Sequence, residues 1–196
     1  MKKIFPILFI IFISFVTTLF AEDNQSIKRI SEGEEGAKII IIAYESLTCG
    51  HCADFHKNVY PDLKKNFIDK GLVKIEFRHF PLDIAAFNAS KIGQCNNDGS
   101  SKVLHALFSG QKKWAKGKSP EEATAYLKKF LKDEGIKVDF EKCLSNKAIE
   151  DFVLNDRIEG VKKFKVNATP TIIIDDKKFE KALNYKNIKK YLEKLI

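Results

Sequence analysis

The stretch KIIIIAYESLTCGHCADFH, residues 38–56, decides the fold of this chain. Residues 38–44 form a continuous β-branched run, which is typical of a central strand buried on both faces. Apolar side chains then recur at helical spacing from Cys52 to Asp69, and Gly71 follows a basic last turn. We therefore predict a buried strand that leads through the pair Cys49 and Cys52 into a helix, which Pro61 bends.

The chain beyond this helix divides into three blocks. A second strand at residues 73–80 completes a parallel βαβ unit, residues 38–82. Residues 83–160 show helical patterns and no convincing strand. Residues 161–196 predict two short strands and a closing basic helix. The predicted fold class is α/β, with a helical insertion between a βαβ half and a ββα half.

The N-terminus has the pattern of an export signal. Lys2 and Lys3 precede a nearly unbroken apolar run, and polarity changes abruptly after Ala21. This predicts a signal peptide, residues 1–21, that is cleaved; the alternative is an uncleaved membrane anchor. Both place the rest of the chain outside the cytoplasm, where disulfides persist. Residues 22–37 are polar and contain glycines, which predicts a flexible leader.

The charge pattern argues against a nucleic-acid partner. The net charge is +8, and removal of Lys2 and Lys3 leaves 8 − 2 = +6. The lysines are interspersed with Asp and Glu, and no block of aromatic residues alternates with arginine. The sequence therefore predicts a solvated, mildly basic surface.

The motif Cys49-Gly50-His51-Cys52 carries the chemistry. If Cys49 opens the helix, unsatisfied backbone N–H groups stabilise its thiolate, and His51 can add positive charge or a hydrogen bond. Cys52, one turn later, would be buried and act as the resolving thiol. A stabilised thiolate favours the reduced pair, which makes the disulfide a better oxidant. The alternative is a structural disulfide or a metal clip.

The other cysteines and histidines do not predict a metal site. Zinc usually requires a second pair of ligands at close spacing, whereas Cys95 and Cys143 stand alone. These two are most simply a structural disulfide between helices of the insertion; if free, they would be a liability in an oxidising compartment. We predict surface or helix-packing roles for the histidines His56, His79 and His105. We expect no cofactor other than the redox-active disulfide.

Pro170 is a candidate cis proline, because it directly precedes a short apolar strand. Opposite a C-x2-C helix, a cis bond would leave the backbone of Thr169 free to pair with an extended peptide.

Three segments together resemble the DsbA-like thiol–disulfide oxidoreductases: YESLTCGHCADFH at 44–56, RHFPLD at 78–83 and ATPT at 168–171. The resemblance covers essentially residues 38–196 and implies a thioredoxin fold with an inserted helical domain. It implies that Cys49 is the nucleophile and that Pro170 is cis. It also implies a periplasmic enzyme that introduces disulfides into unfolded or folding exported polypeptides. A membrane quinone-linked reoxidase of the DsbB type would recharge it, and we expect a monomer.

One position departs from the thioredoxin-like pattern. Such proteins often carry a buried acid six residues before the first cysteine, where it assists proton transfer, but Ala43 stands there. Glu45 points to the same face of the strand and is the candidate substitute. The alternative is that Glu45 is a solvated residue at the strand end.

Two other functions compete with the oxidase. A disulfide isomerase or reductase could use the same fold, and Thr169 before Pro170 resembles isomerases as well as some DsbA-like proteins. A non-catalytic binding protein stapled by an inert Cys49–Cys52 bond is the remaining alternative.

Overall fold

A mixed β-sheet organises residues 26–196, the part of the chain that the computed structural model describes. Its strands are β1 Ser31–Glu32, β2 Ile39–Glu45, β3 Val73–His79, β4 Thr171–Ile174 and β5 Lys177–Lys178. They lie in the order β1-β3-β2-β4-β5. The central pair β2 and β3 is parallel, because helices carry the chain from the end of one strand to the start of the next. The predicted α/β class and βαβ unit are confirmed; the predicted signal peptide lies outside the described residues.

The helix after β2 is broken where one bent helix was predicted. α1 spans Gly50–Asn58, α2 spans Tyr60–Leu63, and a π-helical turn follows at Lys64–Ile68. The backbone leaves helical geometry at Val59, with φ −120°. Pro61 lies in the first turn of α2, where its missing N–H costs no hydrogen bond.

Helices dominate the next part of the chain. They are α3 Ile84–Gln94, α4 Lys102–Ser109, α5 Gln111–Trp114, α6 Pro120–Asp133, α7 Phe140–Ser145 and α8 Lys147–Phe164; α9, Tyr185–Leu192, follows β5. α8 runs through residue 160, the predicted end of the insertion. A Cβ on Gly160 would lie 2.8 Å from the ring of Tyr44, so α8 packs closely on the sheet. The predicted boundary therefore falls inside a helix that continues to Phe164.

The predicted flexible leader, residues 22–37, is wrong for residues 28–32. Ile30 is 1% exposed, and Arg29 forms a 2.5 Å ion pair with the buried Asp156 of α8. β1 pairs antiparallel with β3. A strand of two residues is too short to show a period, and two isoleucines among polar residues, Ile27 and Ile30, gave no signal.

A disulfide joins the end of α3 to α7. It links Cys95 and Cys143, with a sequence separation of 48 residues. Closing a loop of this length contributes about 4 kcal/mol in the chain-entropy account. Within residues 26–196, no helix is both long and apolar enough to span a bilayer.

Candidate active site

Cys49 lies where β2 passes into α1, as the N-cap residue of that helix. The preceding loop is held from two sides. Thr48 Oγ1 donates to Asp83 at 2.7 Å, and Gln111 Nε2 donates to the carbonyl oxygens of Leu47 and Cys49 at 2.8 and 3.0 Å. Because Asp83 caps α3 and Gln111 opens α5, the helical insertion fixes the position of the cysteine loop.

The surroundings of Cys49 favour its thiolate. The hydrogen bond from the Cys52 thiol has the largest effect and outweighs burial, so the pKa of Cys49 falls from 9.0 to about 5. The side chain of Thr169 and the backbone N–H groups of Cys52 and His51 lower this pKa further. His51 itself is exposed, and among the described residues its imidazole makes no hydrogen bond to Cys49. Its contribution comes from the main chain, whereas the sequence had suggested the side chain.

Cys52 has the opposite character. It is 0% exposed, and burial raises the pKa of its thiol well above the usual range. The hydrogen bond to Cys49 and the negative charge of Glu45 raise this pKa further. Two thiols with pKa values moved in opposite directions suit opposite roles, an attacking or leaving thiolate and a protonated resolving thiol.

The Thr169–Pro170 peptide bond is cis and faces the cysteines. The carbonyl oxygen of Thr169 accepts from Cys49 Sγ at 3.3 Å. A cleft of about 420 Å³ adjoins this contact, lined among others by His51, Phe55, Pro170 and Tyr185. The cleft lies between α1 and the segment that contains Thr169 and Pro170.

Glu45 is buried, which makes the alternative of a solvated strand end wrong. It is 4% exposed, and both carboxylate oxygens lie within hydrogen-bond distance of His56 Nε2, at 2.9 and 3.1 Å. Ala43 is fully buried at the position where the family often has its acid.

The three histidines outside the cysteine motif lie in two separate places. His56 Nδ1 is 3.1 Å from His105 Nδ1, and His105 Nε2 is 2.7 Å from Glu32. This connection was not predicted; its one local signal is that His56 follows Cys52 by four residues, one helical turn. His79 is buried elsewhere and bonds Gln94 at 3.2 Å. Among the described residues, no three His, Cys, Asp or Glu side chains are arranged to hold a metal ion.

Comparison with known proteins finds relatives whose names agree with one another, because they refer to thioredoxin or to disulfide bond formation. The family model described as thioredoxin matches residues 25–194. The crystal structure of Wolbachia pipientis alpha-DsbA1 is 30% identical, covers 85% of this chain and 90% of that one, and superposes with a TM-score of 0.75. Disulfide bond formation protein D of Bacillus subtilis is 26% identical, over 83% of this chain and 74% of its own length.

A Rickettsia bellii protein, provisionally named a protein-disulfide oxidoreductase, is 27% identical over 73% of this chain. The chain spans only 55% of that relative, and about half or less of the related Rickettsia proteins.

Proposed function

Because the chain belongs to the thioredoxin family, among the DsbA-like thiol–disulfide oxidoreductases, we propose that it introduces disulfides into exported polypeptides by exchange at Cys49 and Cys52. The observation that carries this proposal is the opposite character of the two thiols. Cys49 has a pKa of about 5, whereas Cys52 is buried and holds its proton. The proposed compartment is the periplasm, and the proposed form is a monomer.

The exchange proceeds in two displacements. A substrate thiolate attacks Cys49 Sγ of the Cys49–Cys52 disulfide; the enzyme S–S bond breaks, and Cys52 leaves and takes up a proton. A second substrate thiolate then attacks the substrate sulfur of the mixed disulfide. Cys49 leaves as a thiolate, and its low pKa makes it a good leaving group. The substrate has lost two electrons and two protons, and the enzyme now holds the reduced pair.

The same groups support oxidation of substrates as the favoured direction. Stabilisation of the Cys49 thiolate lowers the free energy of the reduced enzyme, so the disulfide accepts electrons more readily. Recharging requires an external electron acceptor, for which we propose a membrane quinone-linked reoxidase of the DsbB type.

The cis bond before Pro170 leaves the main chain of Thr169 next to Cys49, where a substrate in extended conformation can pair with it. Glu45, the buried acid nearest to the pair in sequence, is the proposed proton acceptor and donor for Cys52.

The reduction potential of the Cys49–Cys52 pair tests the direction of the reaction. The protein without residues 1–21 is equilibrated with glutathione buffers, and the fraction of reduced pair is measured. We expect a value of about −120 mV, the strongly oxidising end of the scale. A value of about −270 mV would contradict the oxidase and favour the reductase or isomerase.

A further inference from the structure

A row of four hydrogen-bonded side chains leads to the protein surface from Glu45, the carboxylate whose charge raises the pKa of Cys52. Glu45 bonds His56, His56 bonds His105, and His105 bonds Glu32. The inner members are almost completely buried, with side-chain exposures of 3% for Glu45 and 6% for His56. The outer members reach solvent, with 28% for His105 and 16% for Glu32.

The row crosses between two parts of the fold. Glu45 ends β2 and His56 lies in α1, whereas His105 belongs to α4 in the insertion and Glu32 to β1. Aromatic rings fix the imidazoles: Phe108 stacks on His56 at a centroid distance of 4.0 Å, and Tyr60 lies 4.6 Å from the ring of His105. The four groups therefore come from β2, α1, α4 and β1, and aromatic rings pack against the two imidazoles.

The hydrogen-bond count shows what the row can do. Three bonds need three protons, and two neutral imidazoles supply only two. The third proton resides on a carboxyl group or makes one ring cationic. If each of the three protons moves across its own hydrogen bond, the protonated carboxyl group changes from Glu32 to Glu45, or the reverse. No heavy atom has to move.

The groups around Glu32 keep the outer end negative. Burial alone would raise the pKa of Glu32, but hydrogen bonds from His105, Ser101 and Tyr60 outweigh it and lower the pKa to about 2. Lys64 adds a positive charge 3.4 Å away and is itself paired with Asp69. Burial and the bond to Glu32 raise the pKa of Tyr60, so this phenol stays neutral and is not a proton carrier.

We propose that the row Glu45–His56–His105–Glu32 conducts the proton that Cys52 gains and loses in each cycle, between Glu45 and solvent. The proposal rests on the proposed function, because only an exchanging Cys52 needs such a path. When the enzyme disulfide opens, the Cys52 thiolate takes a proton from Glu45, and the row refills from solvent at its outer end. When Cys52 later attacks a mixed disulfide at Cys49, its proton leaves by the same route. His56 and His105 are thus positioning residues that act through Glu45.

A two-phase reaction isolates this step. Reduced protein is mixed with excess 5,5′-dithiobis(2-nitrobenzoate) in a stopped-flow instrument. The fast bimolecular phase reports attack by Cys49, and the following first-order phase reports displacement of the second thionitrobenzoate by Cys52. In His105→Gln, which keeps hydrogen bonds but cannot carry a proton, we expect the second phase to slow by about tenfold or more. The first phase should change less than twofold.

Added buffer distinguishes a proton path from a structural role. In His105→Gln, increasing imidazole concentration should restore the second phase, because an external base replaces the lost ring at a partly exposed site. His79→Gln removes another buried histidine outside the row and should leave both phases unchanged. Glu32→Gln, at the outer end, provides a second test and should slow the same phase.

Two results would overturn the proposal: a wild-type second phase in both variants, or a slow second phase that buffer does not restore. The reduction potential is measured on the same samples. A reduction potential at the reducing end of the scale, together with a slow second phase that buffer restores in the variants, would reject the oxidase and support the proton path. A potential at the strongly oxidising end, together with a wild-type second phase in both variants, would support the oxidase and reject the proton path.

Discussion

The two cysteines lie beside two unlike regions of the molecule. Cys49 faces an exchange surface made of the N-terminus of α1 and the cis bond before Pro170. Cys52 is fully buried, and its pKa is raised by the charge of Glu45, which lies within hydrogen-bond distance of His56. On the functions proposed above, the outer region determines which sulfur reacts, and the inner region determines where the proton goes. The comparison then teaches that a four-residue motif can specify the nucleophile while its proton chemistry depends on distant parts of the chain.

The largest expected effect lies on the exchange surface. Cys49→Ser removes the attacking and leaving thiolate, and we expect oxidation of a reduced, unfolded substrate protein to fall to the background rate of its buffer. Free thiols are counted over time as the readout. Substantial residual oxidation by this variant would mean that Cys52 reacts directly with substrate, and the division between the two regions would not hold.

How much the sequence could predict follows the same division. The β-branched run before Cys49 and the spacing of the two cysteines predicted β2, α1 and the nucleophile, because these signals are contiguous. The inner region was predicted only at Glu45, since strand periodicity fixes which face a residue occupies. The bond between His105 and Glu32 joins residues 73 positions apart, so no local pattern reveals it.

The break at Val59 shows a different limit. Pro61 predicted a bend in one helix, but the chain instead starts a new short helix with this proline in its first turn. A proline indicates where the regular hydrogen bonding of a helix must be interrupted. Tertiary packing determines whether the helix bends there or ends and is followed by a new helix. Likewise β1 depends on its pairing with β3, and two residues carry no period of their own.

A second prediction tests whether stability and exchange are separable. Replacement of both Cys95 and Cys143 by alanine opens the loop closed by the disulfide, and we expect a loss of about 2–5 kcal/mol in the free energy of unfolding. The disulfide joins the end of α3 to α7, and neither helix carries Cys49, Cys52 or a member of the row, so both phases of the thiol reaction should stay within twofold of wild type. Urea unfolding and stopped-flow mixing measure the two quantities. A slowed Cys52 phase would show that the reaction of Cys52 depends on the Cys95–Cys143 disulfide of the insertion.

The smallest expected effect tests whether the exchange surface depends on the interior thiol. The Cys52 hydrogen bond is the largest cause of the low pKa of Cys49. Cys52→Ala removes that donor, whereas Cys52→Ser keeps a hydroxyl that can replace it. The rate of alkylation by iodoacetamide should rise with pH as the thiolate forms, and we expect a midpoint of about pH 5 in the wild type. In Cys52→Ala the midpoint should move up by about one unit or more, equivalent to about 1.4 kcal/mol per unit. At pH 6 the alanine variant should therefore react more slowly, while Cys52→Ser stays close to wild type.

If the alanine variant kept its midpoint near pH 5, the helix N–H groups and Thr169 would be sufficient to stabilise the Cys49 thiolate. The two regions would then be electrostatically independent.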